Sequence, residues 1–289
     1  MKTSLSHLPQ TKQEQILQIV EIIKEIAAPE KIILFGSYAK GNYVEHRYTG
    51  KDGILYEYIS DYDFLIVTQE NKIKEYELED IIESRTRHYK TPTNLQIHEM
   101  DYINQGLEFG QYFFTDIIKE GILLYDTATV QFVEARQLSN SEMREISSQY
   151  FKTWFNTSSN FLDFSKHAFS ELRKEKKLLN DAAFLLHQAT ERFYYTTLLV
   201  FTGYKPKTHN LLKLRKHSKV ISEELFLNFP IEANKNEKYL FDLLKRGYID
   251  ARYKDDYEIN ETEFNSLLER VTLMKEIVLK ICNTKINSL

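Results

Sequence analysis

Two apolar runs, one ending in a Gly-Ser pair and the other opening on two aspartates, constrain this chain more than any other feature. Ile32, Ile33, Leu34 and Phe35 run directly into Gly36-Ser37, and Asp61 and Asp63 stand one residue apart at the head of a second run, Phe64 to Val67. The pattern predicts a strand, a tight turn, an excursion, and a second strand that carries two acids on one face. Successive side chains of a strand point to opposite faces, so residues i and i+2 point the same way and the two carboxylates of Asp-x-Asp converge. Carboxylates held that close repel unless a cation lies between them. Hard divalent ions take oxygen ligands and keep substrate phosphates in their shell. Asp61 and Asp63 are therefore candidate ligands of Mg²⁺ or Mn²⁺ carrying ATP or another nucleoside triphosphate. Gly36 lets the backbone approach a phosphate without a Cβ in the way, and Ser37 offers a hydroxyl and an N–H. The competing reading makes the two aspartates turn residues before a strand, favoured there by Asx-type hydrogen bonds.

A helix is expected before this stretch: Thr11 to Glu14 fits a capping box, and Ile16, Ile19, Val20, Ile23, Ile26 and Ala27 recur at helical spacing until Pro29. Between Gly41 and Ser60 the Gly-rich cluster Thr49 to Gly53 separates alternating runs and predicts a hairpin. After Val67 the pattern gives a helix from Glu75 to His88 with Tyr76, Leu78, Ile81 and Ile82 buried, then a third strand from Asn94 to Glu99. A helical region from Asp101 leads to a last strand, Ile122 to Tyr125. Beyond Thr127 only Gly203 and Gly247 remain of nine glycines, and helical patterns run over 141–174, 178–202, 209–217, 235–253 and 261–284. The fold class expected is an α/β (α+β) unit with a small mixed sheet at residues 1–126, followed by an all-α bundle at residues 127–289.

Composition closes several classes. A hydrophobic fraction of 42% and a charged fraction of 28% are those of a folded globular chain. No apolar run approaches the ~18 residues of a membrane span, and the opening MKTSLSHLPQTKQEQ lacks the apolar core of a signal peptide. A single cysteine, Cys282, excludes an intramolecular disulfide and a Cys-based zinc site, which predicts a cytoplasmic protein. The net charge of −4 argues against a broad nucleic-acid surface.

FGSYAKG followed by SDYDFLIV resembles the signature of the minimal nucleotidyltransferases, the polymerase-β-like superfamily that includes kanamycin nucleotidyltransferase. The resemblance covers roughly residues 11–126. It implies transfer of a nucleoside monophosphate, AMP from ATP, to a hydroxyl of a small molecule or a protein. Asp61 and Asp63 would be catalytic and metal-binding, and Gly36, Ser37 and Lys40 nucleotide-binding. The chain departs from the family in a longer excursion and in the third acid expected on a later strand, where Gln96 or His98 would stand.

The second half carries a further resemblance. LLHQATER at 185–192, TGY at 202–204, THNL at 208–211 and YIDARY at 248–253 look like the HEPN family of helical nucleotide-binding domains, over roughly 145–285. Such domains are commonly paired with minimal nucleotidyltransferases, in several cases as toxin and antitoxin, and often associate across a two-fold, so a homodimer is implied. RNA-cutting members carry an R-x4–6-H motif, but after Arg246 and Arg252 no histidine falls in register. Lacking a positioned base forfeits about 10²–10⁴-fold in rate, so RNase activity is disfavoured. Lys245 and Arg252, seven apart, are expected on one helix face with Tyr253 beside them, offering cations for phosphates and a ring for a base. Glu191 is a candidate general base. Structural alternatives stay open: an intrahelical bond for His187 and Glu191, a cap for His209, a core place for Tyr248, an ion pair for Arg252. The rival function is a catalytically degenerate nucleotide-binding regulator of toxin–antitoxin type.

Overall fold

A computed structural model of the chain describes residues 1–49, 55–69, 73–172, 176–254 and 256–289. They form two compact units, Met1–Gln137 and Leu138–Leu289.

In the first unit, helix α1 (Gln10–Ala27) precedes strand β1 (Lys31–Phe35), the short helix α2 (Gly36–Lys40), and strands β2 (Glu45–Thr49), β3 (Leu55–Ile59) and β4 (Tyr62–Thr68). Helix α3 (Glu75–Thr86), strand β5 (Thr93–Glu99), helices α4 (Met100–Phe109) and α5 (Tyr112–Glu120), and strand β6 (Ile122–Asp126) complete it. The sheet is small and mixed, as expected: its order is β5-β4-β1-β6, with β1 antiparallel to β4 and β6, and β4 parallel to β5. Strands β2 and β3 pair separately as the expected hairpin, whose connection at 50–54 lies outside the described residues. One face of the sheet buries Ile32, Leu34, Phe64, Ile66, Leu95 and Ile97 against Ile16, Ile19 and Ile23 of α1 and Leu78 and Ile82 of α3. On the other face His98 of β5 packs on Tyr102 of α4 and Phe114 of α5, and Phe35 of β1 meets Phe113. After β6 the chain stays with this unit: the Val133 N–H donates to Asn104 and the Arg136 N–H to the Leu107 carbonyl.

Two local expectations change. Pro9, its φ fixed near −55°, caps α1 without a side-chain bond and starts the helix at Gln10, so Thr11 lies inside the first turn instead of capping it. In α3 the buried stripe is Leu78, Ile82 and Thr86, four residues apart, which leaves Tyr76 and Ile81 exposed.

The second unit is helical. The long helices α6 (Asn140–Leu172), α7 (Lys176–Thr202) and α12 (Glu261–Ser288) pack together, and α8 (Leu211–Lys219), α9 (Glu223–Leu227), α10 (Lys235–Arg246) and α11 (Asp250–Tyr253) lie between α7 and α12 in sequence. Its core includes Leu186, Phe193 and Tyr194 of α7 with Phe264, Val271, Met274 and Val278 of α12. Asn260 and Glu263 form a reciprocal capping box at the start of α12. The expected helix 235–253 is broken at Gly247. A Cβ there would stand 3.0 Å from the Leu244 carbonyl and 3.1 Å from that of Ala183 on α7, so a side chain at this turn would have to push a neighbour back by a few tenths of an ångström. Gly247→Val would push the turn off α7 and cost about 1–3 kcal/mol. Urea denaturation of the two proteins measures the difference, and an unchanged midpoint would show that the turn relaxes freely.

Candidate functional site

The first site follows from the register of β1 on β4. Phe35 pairs with Asp63, which carries the next residue, Gly36, onto the Asp63 carboxylate. Gly36 has φ +72°, and a Cβ on it would stand 2.2 Å from Asp63 Oδ2. Glycine is required twice over, by backbone conformation and by space. The Gly-Ser turn and the second acid of Asp-x-Asp, far apart in sequence, are thus one surface. Ser37 lies in the first turn of α2, beside Gly36. Asp61 directly precedes β4 and lies close enough for its charge to act on Asp63.

Asp63 Oδ1 accepts a hydrogen bond from Asn94 Nδ2 at 2.7 Å. Burial pushes the Asp63 carboxyl up from 3.8 to about 7; the Asn94 bond opposes that rise, and the negative charge of Asp61 adds to it. A cation between two such acids would relieve both burial and repulsion. Among the described residues no group of three or more His, Cys, Asp or Glu side chains is placed to hold a metal ion. Asp61 and Asp63 offer two carboxylates, which would suit an ion whose shell is completed by substrate and water.

The register keeps Gln96 and His98 on the face of Asp63 and shows which residue of β5 stands across from it. Gln96 pairs with Leu65 and His98 with Val67, so both lie farther along the sheet; the residue across from Asp63 is Asn94. Lys40 sits in the last turn of α2, and its Nζ pairs with Glu120 Oε2 at 2.6 Å.

The second site centres on Glu191 of α7. Its carboxylate is only 3% exposed, and Oε1 accepts from His209 Nδ1 at 2.8 Å. His187, one turn earlier, puts Nε2 3.9 Å from the same oxygen and donates from Nδ1 to the Leu244 carbonyl at 3.0 Å. Both imidazoles stack on Tyr248, at centroid distances of 5.2 Å for His187 and 4.9 Å for His209. The expectation of Glu191 as a general base thus meets a buried carboxylate that holds His209, whose own ring is exposed. His209 is not the cap of α8: Asn210 is, through its side chain to the Leu212 N–H. Nothing in the spacing of residues 191 and 209 announced their pairing, which depends on where the loop before α8 returns to α7.

The break at Gly247 removes the shared helix face expected for Lys245 and Arg252. Lys245 Nζ pairs with Asp242 at 2.6 Å. Arg252 Nε donates to the Tyr248 carbonyl at 2.8 Å, and its guanidinium lies 4.6–5.0 Å from the rings of Phe184, Tyr248 and Tyr253. Tyr253 is 74% exposed.

Residues 151–282, from within α6 to within α12, match the HEPN domain family. The second unit carries a HEPN domain. Glu191, His187, His209, Arg252 and Tyr253 all belong to it. No curated protein matches the chain.

Two outcomes are expected at the first site. Asp63 holds its proton to higher pH folded than unfolded, so its contribution to stability is complete below about pH 4 and is lost as pH rises through about 7. Urea midpoints measured from pH 4 to 8 should therefore fall less steeply in Asp63→Asn than in the parent; parallel profiles would mean that Asp63 titrates normally. Gly36→Ala should destabilise more in the parent than in Asp63→Ala, where the clash is removed and only the left-handed backbone cost of about 1–2 kcal/mol remains. A double-mutant cycle with no coupling would separate Gly36 from Asp63.

Proposed function

We propose that the N-terminal unit is a metal-dependent nucleotidyltransferase that passes a nucleoside monophosphate, AMP from ATP, to a hydroxyl of a small molecule or protein. In this reading the HEPN domain binds nucleotide or acceptor, consistent with a nucleotide-related or toxin–antitoxin role. The observation that carries it is the contact of the Asp63 carboxylate with Gly36, which joins the acid pair and the Gly-Ser turn in one place. Asp61 and Asp63 would hold Mg²⁺, and the bound ion would offset charge on the transferring phosphoryl group. Ser37 brings a hydroxyl and an N–H to the turn. Asn94 holds one oxygen of Asp63 by hydrogen bond, fixing the carboxylate while its other oxygen stays against Gly36.

A second reading rests on Asn94 itself. With an amide and not a third acid across from Asp63, the unit would keep the nucleotide without turning it over, as a regulator of toxin–antitoxin type. Incubation of the full chain with Mg²⁺ and ATP labelled on the α-phosphate separates the two. The transferase reading expects pyrophosphate release and label transfer, reduced at least 100-fold in Asp61→Asn and Asp63→Asn. Tight ATP binding without pyrophosphate release would replace it with the regulator reading.

A further inference from the structure

The HEPN domain holds two cations on an aromatic floor, apart from the Glu191 and His209 pair. The Arg192 guanidinium lies 5.5 Å from the Trp154 ring centroid and 5.0 Å from that of Phe161. Lys205 Nζ lies 5.8 Å from Trp154 and 4.5 Å from Tyr195. Among the described residues neither cation has a carboxylate within ion-pair distance, and Arg192 Nε is buried with no hydrogen-bond partner. Other arginines of this unit are matched: Arg215 by Glu232, Arg246 by Asp250 and Arg270 by Glu237, each at 2.7 Å.

Partial burial lowers the pKa of the Lys205 ammonium, Glu191 raises it, and the nearby charge of Arg192 lowers it again. Glu191 acts only at a distance, because its carboxylate is turned to His209. Ring faces attract cations but offer no oxygen to their N–H donors. Among the described residues no protein oxygen accepts from Arg192 Nε, a donor that buried guanidinium groups ordinarily satisfy. Both side chains and Trp154 are only partly buried, so solvent and small solutes reach them.

We propose that Arg192 and Lys205 form a phosphate-binding site, with Trp154 as its floor. Two adjacent positive charges match a phosphate dianion better than a single carboxylate. The guanidinium supplies paired donors and the ammonium a compact charge for the remaining oxygens. The site lies wholly within the HEPN domain and stands whether or not the N-terminal unit transfers nucleotides.

Trp154 is the only tryptophan of the chain, so its fluorescence reads this site without a label. Titration of the full chain with inorganic phosphate, at ionic strength held constant with chloride, should give a saturable change in Trp154 emission. Lys205→Gln should weaken the apparent affinity at least tenfold, and Arg192→Lys should weaken it less than Arg192→Gln, with circular dichroism confirming that each variant keeps its helices. AMP binding tighter than inorganic phosphate would assign the site to a nucleotide, and equal binding would assign it to phosphate in general. No saturable change in the parent protein, an equal change with chloride alone, or unaltered binding in a folded Lys205→Gln would overturn the proposal.

Discussion

The register of β1 on β4 is the constraint on which the first unit depends. Because side chains alternate, a slip of one residue would turn Asp63 into the face that buries Ile32, Leu34, Phe64 and Ile66, and would turn those residues out of it. The apolar face thus fixes the register, and the register brings Asp63 to Gly36. The magnitudes allow it. Raising a carboxyl from 3.8 to about 7 corresponds to about 4 kcal/mol of disfavoured ionisation. Two fully buried aliphatic side chains return about that much, and this face buries more than two.

In the HEPN domain the equivalent role falls to α7, which contacts α6, α8, α10, α11 and α12. One face of α7 builds the core through Leu186, Phe193 and Tyr194, while His187, Glu191 and Arg192 bring polar groups into partly or fully buried places. Such groups persist when they find partners. Glu191 finds an imidazole at hydrogen-bond distance, and His187 finds a carbonyl. Among the described residues Arg192 meets the rings of Trp154 and Phe161 and no carboxylate, which sets it apart from Arg215, Arg246 and Arg270.

Much of this was legible in the chain. The strands at β1, β4 and β5, the helix α1 and the change to an all-helical second half follow from periodicity, which is local. The Gly-Ser turn and the acid pair were legible for the same reason, since alternation alone puts two acids of Asp-x-Asp on one face. Legibility stopped where a position depends on a distant neighbour. Gly247 lies close to the backbone of Ala183 on another helix where the helix expected at 235–253 ends, and Glu191 meets His209 only through the return of a loop. The start of α1 after Pro9 and the short α9 are illegible for a local reason, the weakness of their periodic signal.

The sequence by itself determined most of the strands and helices, which faces are apolar, and that two acids share one strand face while a Gly-Ser pair ends another apolar run, because these depend on neighbours within a few residues. Tertiary structure alone decided that Asp63 touches Gly36, that Asn94 stands across from it, and that Glu191 is held by His209. Each of those facts depends on register or on the return of a loop, and both are set by the packing of residues far apart in the chain.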